Sequence, residues 1–390
     1  MSRNILKEGW TDAKAVLTEG ISGNKKKVLE TVLENQRKAL LENAPAGATS
    51  AANIATLNKV ILPIIRRVLP NVIANELVGV VPMAGPVAQI NTLRFRYAES
   101  FGAPNGVTAG TEALSPYDIA RFYSGNGNSD TPAGSATSTL EGVRGRQLSS
   151  QIVKQLVEAK TRKLSASWTF EAAQDAQSQY GIDLEAENLA AVAAHITNEI
   201  DQEILLSLRR LSAPTLTYDQ ANVSGVATFV GDEHAALAIL IGRAANLISQ
   251  RTRQGAANRV TVSPAALTVL QSARTSAFAR TTEGTFDSPS NTQFVGTLNN
   301  TQKVFVDNWA SDSEVVMVSA KYSENSAPAY YCPYIPLMST GVFLDPTNGF
   351  IPTTQFMSRY GYTELADSSS SLGNAADYVE NIAVQNLRFI

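Results

Sequence analysis

The chain has 390 residues, 44% hydrophobic and 17% charged, with a formal net charge of −3. That is apolar material for two or three compact units, and too little charge for a disordered chain. The basic excess with which a dedicated DNA-binding protein neutralises phosphates is missing.

The single cysteine, Cys332, has no intrachain partner for a disulfide, so a reducing compartment fits. It reads as a small buried hydrophobe. No stretch approaches the ~18 apolar residues of a membrane helix. The start, Met1-Ser2-Arg3-Asn4, is not followed by an apolar h-region, so no secretory signal is expected and the protein should be cytosolic when made.

Residues 1–45 are charged and include Lys25-Lys26-Lys27. From Val28, the apolar residues Val28, Leu29, Val32, Leu33 and Leu40 recur at helical spacing, predicting an amphipathic helix that ends near Glu42. A helix with one apolar stripe must dock, either on its own chain or on a neighbouring subunit or assembly factor. The small-residue linker at 44–52 favours the second. Residues 53–77 continue a helical stripe interrupted by Pro63 and Pro70. Residues 78–83 read as extended, closed by a turn at Gly85-Pro86. Residues 89–97 alternate like a strand through Ile90, Leu93, Phe95 and Tyr97.

Residues 99–150 hold few large apolar side chains and many Gly, Ser, Thr, Asn and Pro, with a loop-tip run from Ser124 through Gly125, Asn126, Gly127 and Asn128 to Ser129. So long a weakly structured stretch is out of place inside a compact domain. It is expected to be an extended two-stranded arm packing on another subunit. Lys160, Arg162, Leu164, Ala166 and Trp168 would form its return strand.

Thr169 starts a short helix that stops at Gly181 in the C′ position. Asp183 caps the next helix, with Glu185 and Glu187 favourably placed in its first turn. That helix runs to about Arg210 with the stripe Leu189, Val192, Ala193, Ile196, Ile200, Ile204 and Leu208. At about 1.5 Å per residue it is ~40 Å long. A helix over 232–253 led by Asp232, a strand at 260–262 and a helix over 264–273 with Pro264 in its first turn come next. A loop at 280–298 precedes strands near 303–307, 314–320 and 329–334. This alternation predicts a small α/β unit. Strands and turns are expected over 335–390.

Catalytic patterns are missing. Neither His195 nor His234 lies in a metal spacing such as HExxH, and no GxSxG elbow, P-loop or GxGxxG pattern opens a helix. Gly125-Asn126-Gly127 reads as loop, and Glu185 and Glu187 as helix-start charges rather than an acid/base pair. No catalytic, cofactor-binding or metal-binding residue is nominated, no cofactor is expected, and the chain is not expected to be an enzyme.

Several blocks in order carry a resemblance. The first is Arg66-Arg67-Val68-Leu69-Pro70-Asn71, followed by Val78-Gly79-Val80-Val81-Pro82-Met83 and Gly85-Pro86. The longest runs from Val157 to Ala166 and on through Glu171-Ala172-Ala173-Gln174-Asp175. It ends in Tyr180 to Glu187 and Glu199-Ile200-Asp201-Gln202-Glu203. Val304-Phe305-Val306-Asp307, Tyr330-Tyr331-Cys332-Pro333-Tyr334 and Ser358-Arg359-Tyr360-Gly361 follow. From about residue 60 to the C-terminus the chain resembles the major capsid protein of T-even-type myoviruses.

The resemblance implies an α+β chain with the Hong Kong 97 phage-type capsid fold. Its parts would be an N-terminal arm over 1–88, an extended E-loop over 89–160 and a peripheral domain with a long spine helix over 161–225. An axial domain over 226–334 and a return to the peripheral domain over 335–390 complete it. It implies a structural major capsid protein that self-assembles through hexameric capsomers into the icosahedral shell enclosing the DNA genome of a tailed bacteriophage. A capsid vertex (pentamer) paralogue and an encapsulin-like compartment shell share that architecture and are the alternatives.

Implied partners are other copies of the chain, with vertex, portal, scaffold and decoration proteins. Double-stranded DNA would be enclosed without sequence-specific binding, and no membrane is involved. The protein would reside in the virion capsid after assembly in the host bacterial cytoplasm. The E-loop is too short for the large insertion domain of some relatives. Some capsids of this fold weld subunits through an E-loop lysine joined to an asparagine, but no lysine occurs from Ala98 to Val153. Non-covalent contacts or decoration proteins would then hold the shell. Family capsids are often trimmed after a glutamate in a Leu/Ile-x-Glu context. Of Leu6-Lys7-Glu8, Leu17-Thr18-Glu19, Leu40-Leu41-Glu42 and Leu156-Val157-Glu158, Glu42 is the best candidate, because Asn43 opens the linker.

Overall fold

The computed structural model describes residues 10–42, 73–100, 109–110, 137–142, 144–181, 184–222, 230–252, 254–273, 278–280, 293–310, 315–345, 351–365 and 374–387. The helical stripe at 53–72, the loop-tip run 124–129 and the Asp183 cap lie outside these residues.

In chain order the strands are β1 (Gly79–Val80), β2 (Val87–Tyr97), β3 (Leu148–Glu158), β4 (Lys160–Ser167) and β5 (Leu216–Asp219). Then come β6 (Arg259–Val262), β7 (Phe278–Arg280), β8 (Gln293–Leu298), β9 (Gln302–Val306), β10 (Val316–Ser319), β11 (Ala329–Asp345), β12 (Ile351–Glu364) and β13 (Val379–Gln385). The longer helices are Gly23–Glu42 (the arm helix), Phe170–Tyr180, Leu184–Leu211 (the spine helix), Val230–Thr252 and Pro264–Ser272. The chain is α+β and divides into two compact units, the division falling within the spine helix. The first unit holds Met1–Ala88, Val157–Leu205 and Tyr330–Thr363; the second holds Gln89–Leu156, Leu206–Ala329 and Glu364–Ile390.

The first unit is built on a four-stranded sheet in the order β1-β11-β12-β4. β4 runs antiparallel to β12, from Thr353 opposite Ser167 to Tyr360 opposite Lys160. Strand alternation puts Phe356, Thr354, Ser358 and Tyr360 on one face, and all four are buried. The spine helix buries Val192, Ile196, Ile200 and Ile204 at four-residue spacing. Its Glu203 ties it to the sheet: the Tyr360 hydroxyl donates to one carboxylate oxygen, and Arg162 Nη2 reaches the other at 2.5 Å. Arg162 also lies over the Tyr360 ring, 5.2 Å from its centroid. Asp201, two residues earlier, is buried and accepts the backbone N–H of Ile73 at 2.8 Å.

The second unit holds a seven-stranded sheet in the order β5-β13-β10-β6-β9-β8-β7. Its centre is apolar without alternation: Val260, Val262, Val316, Met317 and Val318 are all buried, as in a sheet covered on both faces. The helix Val230–Thr252 buries Leu237, Ile241, Ala244, Ala245 and Ile248. Charges buried here are paired, which offsets their desolvation. Arg209 Nη2 meets Asp307 at 2.9 Å; Arg251 Nη1 meets Glu380 at 2.6 Å, and the Thr215 hydroxyl donates to the same carboxylate.

Local signals place helix ends well. Thr169 Oγ1 accepts the N–H of Ala172 at 3.2 Å, and Gly181 closes that helix with φ of 65°. Ser263 Oγ accepts from Ala266 N at 3.3 Å, with Pro264 at the first helical position. Strand pairing departs from expectation in three places. The partner of β2 is β3, not the 160–168 segment, which pairs with β12 instead. Two alternating segments flank Ala159, and alternation marks a strand without naming its neighbour. Within the 280–298 segment, expected to be loop, Gln293–Leu298 pairs with β9. The 335–390 segment divides: β12 lies in the first sheet, whereas β13 inserts between β5 and β10.

Candidate assembly surfaces

β2 and β3 form a two-stranded sheet of their own. Along β3 every even-numbered residue is exposed, while the odd positions from Val153 are partly covered and Val157 is buried. The exposed row carries Leu148 at 52%, Ile152 at 64% and Leu156 at 70% exposure, and β2 adds Val87 and Phe95. Isolated two-stranded ribbons are marginal in water, and an exposed apolar row on one marks a contact surface. The ribbon is pinned at its base: Gln155 Nε2 donates to the Glu364 carbonyl at 2.6 Å, and the Ala159 N–H donates to the Pro86 carbonyl at 2.9 Å. Lys154, exposed in the same row, is the first lysine after the lysine-free stretch. Val342, Phe343 and Leu344, near the end of β11, are exposed as well.

The arm docks on its own chain, where the linker composition had favoured a neighbour. Asn35 Nδ2 donates to the carbonyls of Met83 at 2.6 Å and Tyr334 at 3.2 Å. Asn24 Nδ2 reaches the Val80 carbonyl at 3.4 Å, and Lys25 lies 3.5 Å from Glu76. Of the expected stripe, Val28, Leu29, Val32 and Leu33 are buried, and the Leu40 side chain lies outside the described ones. Trp10 folds back on the helix, donating from Nε1 to Glu34 at 2.9 Å beneath the Arg37 guanidinium. Glu42 is the last residue of the arm helix.

No reactive constellation is brought together among the described residues. His195 is exposed on the spine helix, 3.5 Å from Glu199 one turn away. His234 is buried, with Nε2 3.1 Å from the Gln220 amide nitrogen and Nδ1 2.6 Å from Ser272 Oγ. The Ser272 hydroxyl donates to the Thr268 carbonyl at 2.8 Å, so it accepts from Nδ1–H and Gln220 donates to Nε2. Both ring nitrogens are thus engaged in fixing the fold. Cys332 is buried in β11, and burial pushes its thiol up to about 12. Among the described residues no group of three or more His, Cys, Asp or Glu side chains could hold a metal ion. No described helix is long and apolar enough to cross a membrane.

An arm, an extended ribbon with an exposed apolar row, a long spine helix and two sheet-based units give a subunit with surfaces suited to contacts with other chains. A family model described as major capsid protein Gp23 matches residues 54–384. The chain belongs to this Gp23 family of T4-type phage major capsid proteins and is a structural component of the virion capsid. The element order above makes it an α+β chain.

The major capsid protein of Vibrio phage KVP40 is 26% identical over 496 residues, covering 95% of this chain and 96% of that protein. That of Enterobacteria phage T4 is 26% identical over 412 residues, covering 82% of this chain and 77% of that protein. Among solved structures, the capsid of Myoviridae phage XM1 is similar with a TM-score of 0.46 at 12% identity, covering 80% of this chain and 92% of that one.

Proposed function

We propose that copies of this chain form hexameric capsomers that tile into an icosahedral shell around the DNA genome of a tailed bacteriophage. The observation that carries this reading is the ribbon of β2 and β3, whose exposed Leu148, Ile152 and Leu156 have an extended surface to bury and no cover among the described residues. Head-to-tail contacts of this kind close into rings when the rotation permits. Many modest contacts then act together through their effective concentration. Residues 89–160 serve as the E-loop that reaches a neighbour, 1–88 as the arm, 161–225 as the peripheral domain with its spine helix, and 226–334 as the axial domain around the capsomer axis. Within 335–390, β12 returns to the peripheral part and β13 completes the axial sheet.

The net charge of −3 suits a wall that encloses DNA without gripping it. Vertex, portal, scaffold and decoration proteins complete the particle, which assembles in the host bacterial cytoplasm without catalysis by this chain. Trimming after Glu42 is part of the proposal, since that residue ends a helix and the bond lies where the small-residue linker begins. Electron microscopy of purified protein tests the assembly reading: rings, tubes or shells are expected. Ile152→Asp should abolish them while leaving the subunit's circular dichroism unchanged. A wild-type chain that stays monomeric at high concentration overturns it. The intact mass of the chain in mature particles tests trimming, and a start at Met1 sinks it.

A further inference from the structure

The arm helix contains a side chain that the shell reading does not use. Gln36 is fully buried, and neither its amide nitrogen nor its amide oxygen has a hydrogen-bond partner among the described residues. A glutamine amide offers two donors and an oxygen acceptor, all satisfied by water when the helix is free. Docking strips that water and returns nothing, so this residue opposes docking. Methionine, of similar length and shape, would not carry that penalty.

Polar contacts from three arm residues to the rest of the first unit stand out among the described residues. Asn35, the adjacent residue, holds the carbonyls of Met83 and Tyr334. Asn24 reaches Val80 at the longer distance of 3.4 Å, and Lys25 and Glu76 are both partly exposed, so their pairing adds little. The arm also has internal cohesion, through Trp10, Glu34 and Arg37.

We propose that residues 10–42 are a detachable clasp on the first unit, seated by the apolar stripe Val28, Leu29, Val32 and Leu33, keyed to the Met83 and Tyr334 carbonyls by Asn35, and loosened by the buried amide of Gln36, which has no partner among the described residues. The clasp opens while the sheet and spine helix of that unit stay folded. All of its contacts lie N-terminal to the bond after Glu42. A cut there severs the connection and leaves the contacts, so departure of the arm is set by the clasp and not by the bond. Only that consequence rests on the trimming reading.

Hydrogen–deuterium exchange of the full-length, uncut chain tests the clasp independently of trimming. The amides of 28–38 should exchange faster than those of spine-helix residues 196–204. Gln36→Met should slow exchange in the arm about tenfold and leave the spine unchanged. Asn35→Ala should accelerate it. Gln36→Leu provides a second apolar replacement should the methionine variant fold poorly. Exchange of arm and spine at one common rate overturns the proposal, as does an apolar replacement of Gln36 that leaves arm exchange unchanged or faster.

Discussion

Gly361 sits in β12 where the chain passes closest to the end of β3, and an added methyl group should be costly there. A Cβ at this position would lie 2.5 Å from Val157 Cγ1 and 3.0 Å from the Glu158 carbonyl oxygen. Carbon atoms in ordinary contact are ~3.5–4.0 Å apart, so the first overlap is on the order of 1 Å. Neither obstacle yields easily. Val157 is buried and β-branched, with a stiff first torsion, and the other obstacle is backbone. Overpacking of this kind costs ~1–3 kcal/mol, and the backbone contact places Gly361→Ala near the upper end. With a urea dependence of ~1–3 kcal/mol per molar, the unfolding midpoint should fall by about 1 M, read by tryptophan fluorescence of the full-length subunit. Val157→Ala removes the nearer clash, so the double variant should recover at least ~1 kcal/mol relative to the sum of the two single changes. Part of the loss should remain, because the Glu158 oxygen is still there. An unchanged midpoint for Gly361→Ala, or strict additivity in the cycle, refutes the close-approach argument.

Two further predictions concern buried groups. Asp307→Ala removes the carboxylate from Arg209, whose side chain is 8% exposed, and should cost ~3–5 kcal/mol by urea unfolding; a loss below ~1 kcal/mol would show that the pair is not sustaining the second unit. Alkaline pH should also weaken the fold. Burial raises the Cys332 thiol from 9.0 to about 12, and burial with the nearby Glu233 charge raises the Tyr218 hydroxyl from 10.0 to about 12. The unfolded chain loses these protons first, so their contribution is complete below pH 9 and is lost as pH rises towards about 12. Urea midpoints measured from pH 8 to 11.5 should fall across that window, with a shallower fall in Tyr218→Phe. A flat profile contradicts the assignment.

Legibility in the sequence followed the range of the interaction. Thr169, Gly181 and Pro264 mark helix ends correctly because the signal at a helix end acts within a few residues of itself. The spine stripe was equally legible, since Val192, Ile196, Ile200 and Ile204 share a face through helical geometry alone. Pairing was not. The alternation of Lys160 to Trp168 is real, yet its partner is β12, nearly two hundred positions on, and the ribbon's return strand is the element before it. Asn35 gave no signal at all, because its partner carbonyls lie 48 and 299 residues away and any backbone presents the same oxygen. The order of the matching blocks was a better guide to the family than any single element was to its neighbours.

On the proposed assembly reading the subunit faces two opposed demands, and the ribbon's sequence answers both. Before assembly its apolar row must not pair with another ribbon indiscriminately; after assembly the same row must be buried. A continuous apolar edge would satisfy only the second demand. In β3 the exposed row reads Leu148, Ser150, Ile152, Lys154, Leu156, so polar residues interrupt it at alternate positions. Lys154 stands between its two most exposed apolar side chains, at 64% and 70%. A lysine there charges the row against a like ribbon and can still lie flat along apolar surface with its ammonium in water when the correct partner covers it. Each contact is thereby kept weak, which is compatible with a stable shell only because a closed lattice makes many of them at once.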